Sequence, residues 1–181
     1  MPQQTPTEAL HHATFQALMW ALSHPGRPQQ LPSRGHTAYV SIAETLIDLE
    51  TSFFTPDALL REQLLHTRAQ FLPPSSARYQ FYPFLDDSAL MLISDAPTGN
   101  YANPDESATL VLGAGFGTGT RLRLSGPGVN GVTTIRIDGV LPLFWDIRTR
   151  LVRYPLGWDV LFVADQQVIG LPRTTHVEVL S

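Results

Sequence analysis

The run Ala108-Thr109-Leu110-Val111-Leu112 constrains the fold more than any other segment of the chain. It carries no charge and no polar alternation, so it reads as a strand covered on both faces, and such a strand belongs inside a layered α/β domain. The flanking pattern agrees. Helical and extended segments alternate upstream of it, and extended segments dominate downstream. With 181 residues and 43% hydrophobic content, the chain suffices for one domain over residues 1–181 with a substantial core. The expected class is α/β with a mixed sheet.

The helices carry start signals. Thr5 and Glu8 have the spacing of a capping box, and Pro6 fits the first helical position. Phe15, Leu18, Met19 and Leu22 then recur at helical spacing, which predicts a helix to about Ser23, stopped by His24-Pro25-Gly26. A second helix is expected from about Thr37 to Glu50. A third is expected to be capped by Thr55 and to reach about Ala69, and further helices are expected over Asp87–Ser94 and Leu143–Arg153. Strands are expected at Thr51–Phe54, Arg78–Phe84, Arg121–Leu124 and Val132–Ile137. Val160–Val163 and Val168–Leu171 are expected to flank a hairpin turn, and Thr174–Val179 to form the last strand. Arg121–Leu124 alternates charged and apolar residues, as a strand with one wet face does.

Composition removes several chemistries. There is no Cys, which excludes disulfides, thiolate catalysis and iron–sulfur ligation. All 12 basic residues are Arg, so neither the lysine of a phosphate-binding P-loop nor the lysine Schiff base of a pyridoxal-phosphate enzyme is available. A net charge of −4 gives no bulk attraction to nucleic acid or anionic membrane. With no apolar stretch of membrane-spanning length and no apolar signal core in MPQQTPTEAL, a cytoplasmic protein is expected.

Candidate sites each have a functional and a structural reading. The glycine-rich run Gly113–Gly119 invites a phosphate-loop reading, but a strand pattern follows it rather than a helix, so a flexible hairpin connection is expected. Ser125, in Leu124-Ser125-Gly126-Pro127-Gly128, is either part of a Gly-Pro turn or a ligand contact at a strand end. Arg173, Thr174, Thr175 and His176 form the best anion-binding candidate, because a guanidinium, hydroxyls and an imidazole suit the oxygens of a phosphate-like anion. Asp159 stands ready to orient or neutralise one of them. The alternative for this group is a structural network or a subunit contact. If the segment is extended, Arg173 and Thr175 face one way and Thr174 and His176 the other. Phe15, Met19 and Trp20 either pack in the core or meet another subunit. No catalytic residue is assigned, since no nucleophile elbow is present. The adjacent His11 and His12 diverge on a helix, and no metal site is expected.

Four segments, taken together, resemble a known family. FQALMWALSHPG (15–26), LRLSGPG (122–128), YPLGWDVLF (154–162) and LPRTTHVEV (171–179) are similar to the PhnH family, the H subunit of the bacterial carbon–phosphorus lyase system. The resemblance implies a three-layer α/β/α sandwich, similar to the large domain of pyridoxal-phosphate transferases but without the cofactor site. It implies no cofactor of its own, self-dimerisation in isolation, and the G, I and J subunits as partners in phosphonate breakdown. Within that system alkylphosphonate is transferred to a ribose triphosphate, and the radical cleavage belongs to the J subunit. Two roles follow for a chain of this kind: a non-catalytic accessory subunit, or a component that holds phosphonate or nucleotide phosphate through Arg173, Thr174 and His176.

Overall fold

Most of the helices begin where a side-chain oxygen meets their first free amides. The computed structural model describes residues 5–32 and 37–180. In α1 (Pro6–Ser23) the Glu8 N–H donates to Thr5 Oγ1 at 3.3 Å, and the Thr5 N–H donates to the Glu8 carboxylate at 2.7 Å, which is the expected capping box. α2 (Ala38–Leu46) starts on Thr37 but ends well short of Glu50. Asp48 and Thr51 build a turn of their own there: the Asp48 N–H donates to Thr51 Oγ1 at 2.8 Å and the Glu50 N–H to Asp48 Oδ1 at 3.0 Å. Such local bonds compete with the helix ladder. α3 (Ala58–Leu64) is capped by Asp57, which accepts from the Leu60 N–H at 2.9 Å, rather than by Thr55. α4 (Asp87–Ser94) is capped by Asp86, and α5 (Pro142–Leu151) has proline in its first turn.

The strands are β1 (Gln29–Gln30), β2 (Ser52–Phe54), β3 (Gln70–Phe71), β4 (Tyr79–Tyr82), β5 (Thr109–Gly113), β6 (Gly115–Ser125), β7 (Val132–Asp138), β8 (Asp159–Ala164), β9 (Gln167–Leu171) and β10 (His176–Leu180). Seven of them form one sheet in the order β1-β9-β8-β5-β4-β2-β3. The strands from β3 through β8 run parallel, and β9 and β1 add on antiparallel, so the sheet is mixed as expected. The outermost strands, β1 and β3, are two residues each, which leaves little open edge for a foreign strand.

Alternation along β5 and β8 sorts their side chains to two cores. Leu110, Leu112, Val160 and Phe162 enter one apolar cluster with Leu90 and Ile93 of α4 and Phe144 and Ile147 of α5. Val111, Leu161 and Val163 enter the other with Leu18 and Ala21 of α1, Ile42 of α2 and Leu60 of α3. Both faces of the sheet are therefore covered by helices, which is why Leu110 to Leu112 show no polar alternation. Each buried Leu, Ile, Val or Phe among these stabilises the fold by about 1.5–3 kcal/mol.

Three further expectations are corrected. First, β6, β7 and β10 do not extend the main sheet; they form a separate antiparallel sheet in the order β10-β6-β7. Leu122, Leu124 and Ile137 are fully buried in the same cluster as α4 and α5, while Arg121 and Arg123 are exposed. A strand with one wet face suits this outer position. Second, the glycine run is not a flexible loop. Gly113 ends β5, Ala114 alone separates it from β6, and the remaining glycines lie within β6 around a bulge where Phe116 and Thr120 both oppose Ile137. Third, the last strand starts at His176, not Thr174. Pro172 to Thr175 form a turn closed by the Thr175 N–H donating to Pro172 O at 2.9 Å, so the proposed alternation of Arg173 and Thr175 against Thr174 and His176 does not exist. Among the described residues no helix is long and apolar enough to cross a membrane.

Candidate functional site

The turn from β9 to β10 carries the chain from the large sheet to the small one, and Arg173 holds it in place. Its backbone N–H donates to Asp159 Oδ1 at 2.9 Å, and its Nε and Nη2 reach the two carboxylate oxygens of Asp159 at 3.2 and 2.6 Å. Nη1 donates to Pro104 O at 2.7 Å and to Pro155 O at 3.5 Å. This is a bidentate, charge-assisted pair backed by carbonyls, with the two side chains only 15% and 23% exposed. Asp159 thus does orient an arginine, and the arginine is thereby occupied.

A second guanidinium lies beside it. Arg148 sits on α5 four residues after Phe144 and three before Leu151, on the stripe that faces the core, and is 4% exposed. Its Nη2 donates to Pro172 O at 3.1 Å and Thr175 O at 3.2 Å, while its Nε has no partner. Thr175 is 2% exposed and its hydroxyl likewise has no partner. Burial lowers the Arg148 pKa to about 10, against the opposing pull of the Asp159 charge, which leaves the group cationic at neutral pH. Arg148, Thr149, Thr174, Thr175 and His176 line a pocket of about 310 Å³ to which Arg173 also contributes. Ser125 lies next to it, opposite His176 in the β6–β10 register.

The four sequence segments quoted above meet around this turn. At Gly128, with φ +79°, a Cβ would stand 2.2 Å from Ser23 O, so the SGPG turn rests directly on the end of α1. The Gly26 N–H donates to Gly170 O at 3.3 Å, tying the same end of α1 to β9. In the YPLGWD segment Pro155 and Asp159 bind Arg173, and the fully buried Trp158 donates from Nε1 to Ala96 O at 3.1 Å. The segments are far apart in sequence and form one corner of the fold.

Arg148 was missed because an arginine in a helix normally reads as solvated. Its spacing from Phe144 and Leu151 is the signal that places it inward. Phe15, Met19 and Trp20 lie away from the core: they are 45%, 53% and 55% exposed, and Trp20 stacks on His24 with ring centroids 4.7 Å apart. Leu18, Ala17 and Ala21 supply the buried face of α1 instead, which removes the core-packing reading of the three large residues.

The family model described as bacterial phosphonate metabolism protein (PhnH) matches residues 5–178. This chain belongs to the PhnH family. The match takes in all four segments around the β9–β10 turn except the last residue, Val179. A relative in the family's chemistry, a putative C-P lyase subunit protein HtxG from Stutzerimonas stutzeri, is 31% identical over 166 residues, covering 90% of this chain and 83% of the relative. As a PhnH-family protein the chain takes part in bacterial phosphonate metabolism.

Proposed function

We propose that this chain is an accessory subunit of a carbon–phosphorus lyase assembly, supplying surface and shape to partners that break the bond. The name of the similar Stutzerimonas protein, a putative C-P lyase subunit, supports the assembly. The observation that carries the accessory reading is the state of Arg173: the sequence's strongest anion-binding candidate uses its donors on Asp159, Pro104 and Pro155. A component holding phosphonate through Arg173, Thr174 and His176 would have to break that network first, which counts against the competing reading.

In this proposal the G, I and J subunits of the system are the partners, and the compartment is the cytoplasm. The likeness to the large domain of pyridoxal-phosphate transferases belongs to the same proposal, with the absence of lysine arguing against any retained cofactor role. The exposed Phe15, Met19 and Trp20 on α1 supply the contact for self-association, since large aromatics bury favourably at interfaces.

Affinity capture of the tagged chain, co-expressed with the neighbouring G, I and J subunits, tests the assembly; stoichiometric co-purification is expected, and recovery of the chain alone would overturn it. The contact surface is tested by sedimentation velocity of Trp20→Ala in the absence of partners. We expect roughly a tenfold or greater weakening of self-association, as for a buried aromatic anchor. An unchanged sedimentation profile would remove α1 from the interface.

A further inference from the structure

We propose that the open edge of β7 receives an extended acidic segment of a partner protein, which joins the small sheet as a fourth strand. This deepens the accessory reading, and rests on it, by naming a surface through which a partner is held.

The edge itself is the first observation. β7 runs seven residues from Val132 to Asp138 and stands at the end of the order β10-β6-β7. Among the described residues only β6 pairs with it, so the N–H and C=O groups on its outer side have no ladder partner. The main sheet closes its edges with strands of two residues; β7 has no such protection. It contains no proline, and Val132, Thr133, Thr134, Ile135 and Ile137 are β-branched residues that suit an extended backbone. An edge of that length and composition is a template for another strand.

Beside this edge opens a pocket of about 380 Å³, with Pro28 and Phe116 in its wall opposite Thr134, Ile135 and Arg136. At Gly26, with φ +81°, a Cβ would stand 3.2 Å from Ile135 Cγ2, so the segment after α1 lies against the inner side of the strand. An added strand turns every second side chain towards this inner side and the others towards the wet face. The inward set is therefore apolar.

The wet face decides the other set. Arg121 and Arg136 are exposed and stand directly opposite each other in the β6–β7 register, and like charges so placed repel. Arg136 donates to Gly119 O at 3.2 Å, but neither arginine has an ion-pair partner among the described residues. Asp138, the carboxylate of β7, is engaged by the Thr118 hydroxyl at 3.3 Å and the Gly139 N–H at 2.8 Å. Carboxylates at alternate positions of the incoming strand neutralise the arginine pair. A second copy of this chain would instead bring its own Arg121 and Arg136 to the same face, so the occupant is a different, acidic protein. On β10, the other edge of the small sheet, Glu178 already answers Arg123 at 3.1 Å, which directs an acidic strand to β7.

The probe is a synthetic end-blocked peptide of four Val-Glu repeats, titrated into the isotope-labelled full chain and followed by amide NMR and hydrogen exchange. Saturable shifts are expected along residues 132–138, with alternate amides exchanging at least tenfold more slowly. Four Val-Lys repeats at the same ionic strength should bind at least tenfold more weakly. An acidic peptide interrupted by proline should not bind, because it cannot continue the ladder. Arg136→Glu sets a carboxylate opposite Arg121, a pairing the sheet accepts, and should weaken the acidic peptide roughly tenfold. Arg121→Ser is the second variant, with a smaller loss expected. The proposal is overturned if the basic or the proline-interrupted peptide binds equally well, if the protected amides lie in β10 or outside the small sheet, or if neither variant alters the affinity. It is equally overturned if β7 becomes protected with rising protein concentration and no peptide, which assigns the edge to a second copy. Co-purification with the G, I and J subunits is read separately, so failure of this edge is distinguishable from failure of the accessory reading.

Discussion

Two arginines 25 residues apart in sequence end within one corner of the molecule and differ in what surrounds them. Arg173 has a carboxylate and two carbonyls in hydrogen-bond reach; Arg148 has two carbonyls and an idle Nε. Truncation should therefore act through different routes. Arg173→Ala leaves Asp159 partly buried without its partner and frees the carbonyls of Pro104 and Pro155. We expect a loss of about 2–4 kcal/mol in stability, read as a lower urea midpoint. A stability unchanged within about 0.5 kcal/mol would mean that solvent already serves these groups. From sequence the pairing of Arg173 with Asp159 was legible in outline, because both stood out as polar residues at strand ends. Arg148 was harder to see: its spacing from Phe144 and Leu151 places it inward, but the carbonyls that receive it belong to the distant β9–β10 turn.

Among the elements, those fixed by local chemistry were readable and those fixed by crowding were not. The cap of α1 follows from Thr5 and Glu8 alone, and the apolar run of β5 declared its double burial. The extent of α2 depended on the Asp48–Thr51 turn, and the place of β6 on a neighbouring strand. The glycines of β6 show why. At Gly119, with φ +79°, a Cβ would lie 2.5 Å from Ile137 O; at Gly117, with φ +88°, it would meet nothing within 4 Å. Gly117→Ala should then cost about 1 kcal/mol, from the left-handed backbone alone. Gly119→Ala adds a backbone collision and should cost more than about 2 kcal/mol. Equilibrium urea unfolding of the pair measures the difference, and equal losses would contradict the bulged pairing of β6 with β7.

For the whole molecule the informative variable is alkaline pH. Tyr39, Tyr79 and Tyr82 are shielded from water, and burial pushes the Tyr39 hydroxyl up to about 12 and raises the other two. With folded-state pKa values above the unfolded value near 10, both states are neutral below that pH and the full stability is present. As pH rises further the unfolded chain ionises first, and stability falls by about 1.4 kcal/mol per unit for a tyrosine raised as far as Tyr39. Arg148 works in the opposite sense. Its folded pKa is depressed to about 10, so above that pH the folded state sheds the buried charge before the unfolded state does, which offsets roughly one tyrosine. The net change between pH 10 and 12 is a decline, because the raised tyrosines outnumber the one depressed arginine. Urea midpoints taken at pH 9, 10 and 11 will show it as a plateau followed by a fall. Tyr39→Phe should flatten that fall, and Arg148→Met, by removing the opposing titration, should steepen it. A midpoint that stays constant through pH 11 would require these hydroxyls to ionise as freely in the folded protein as in the unfolded chain, and so would contradict their burial between the helices and the sheet.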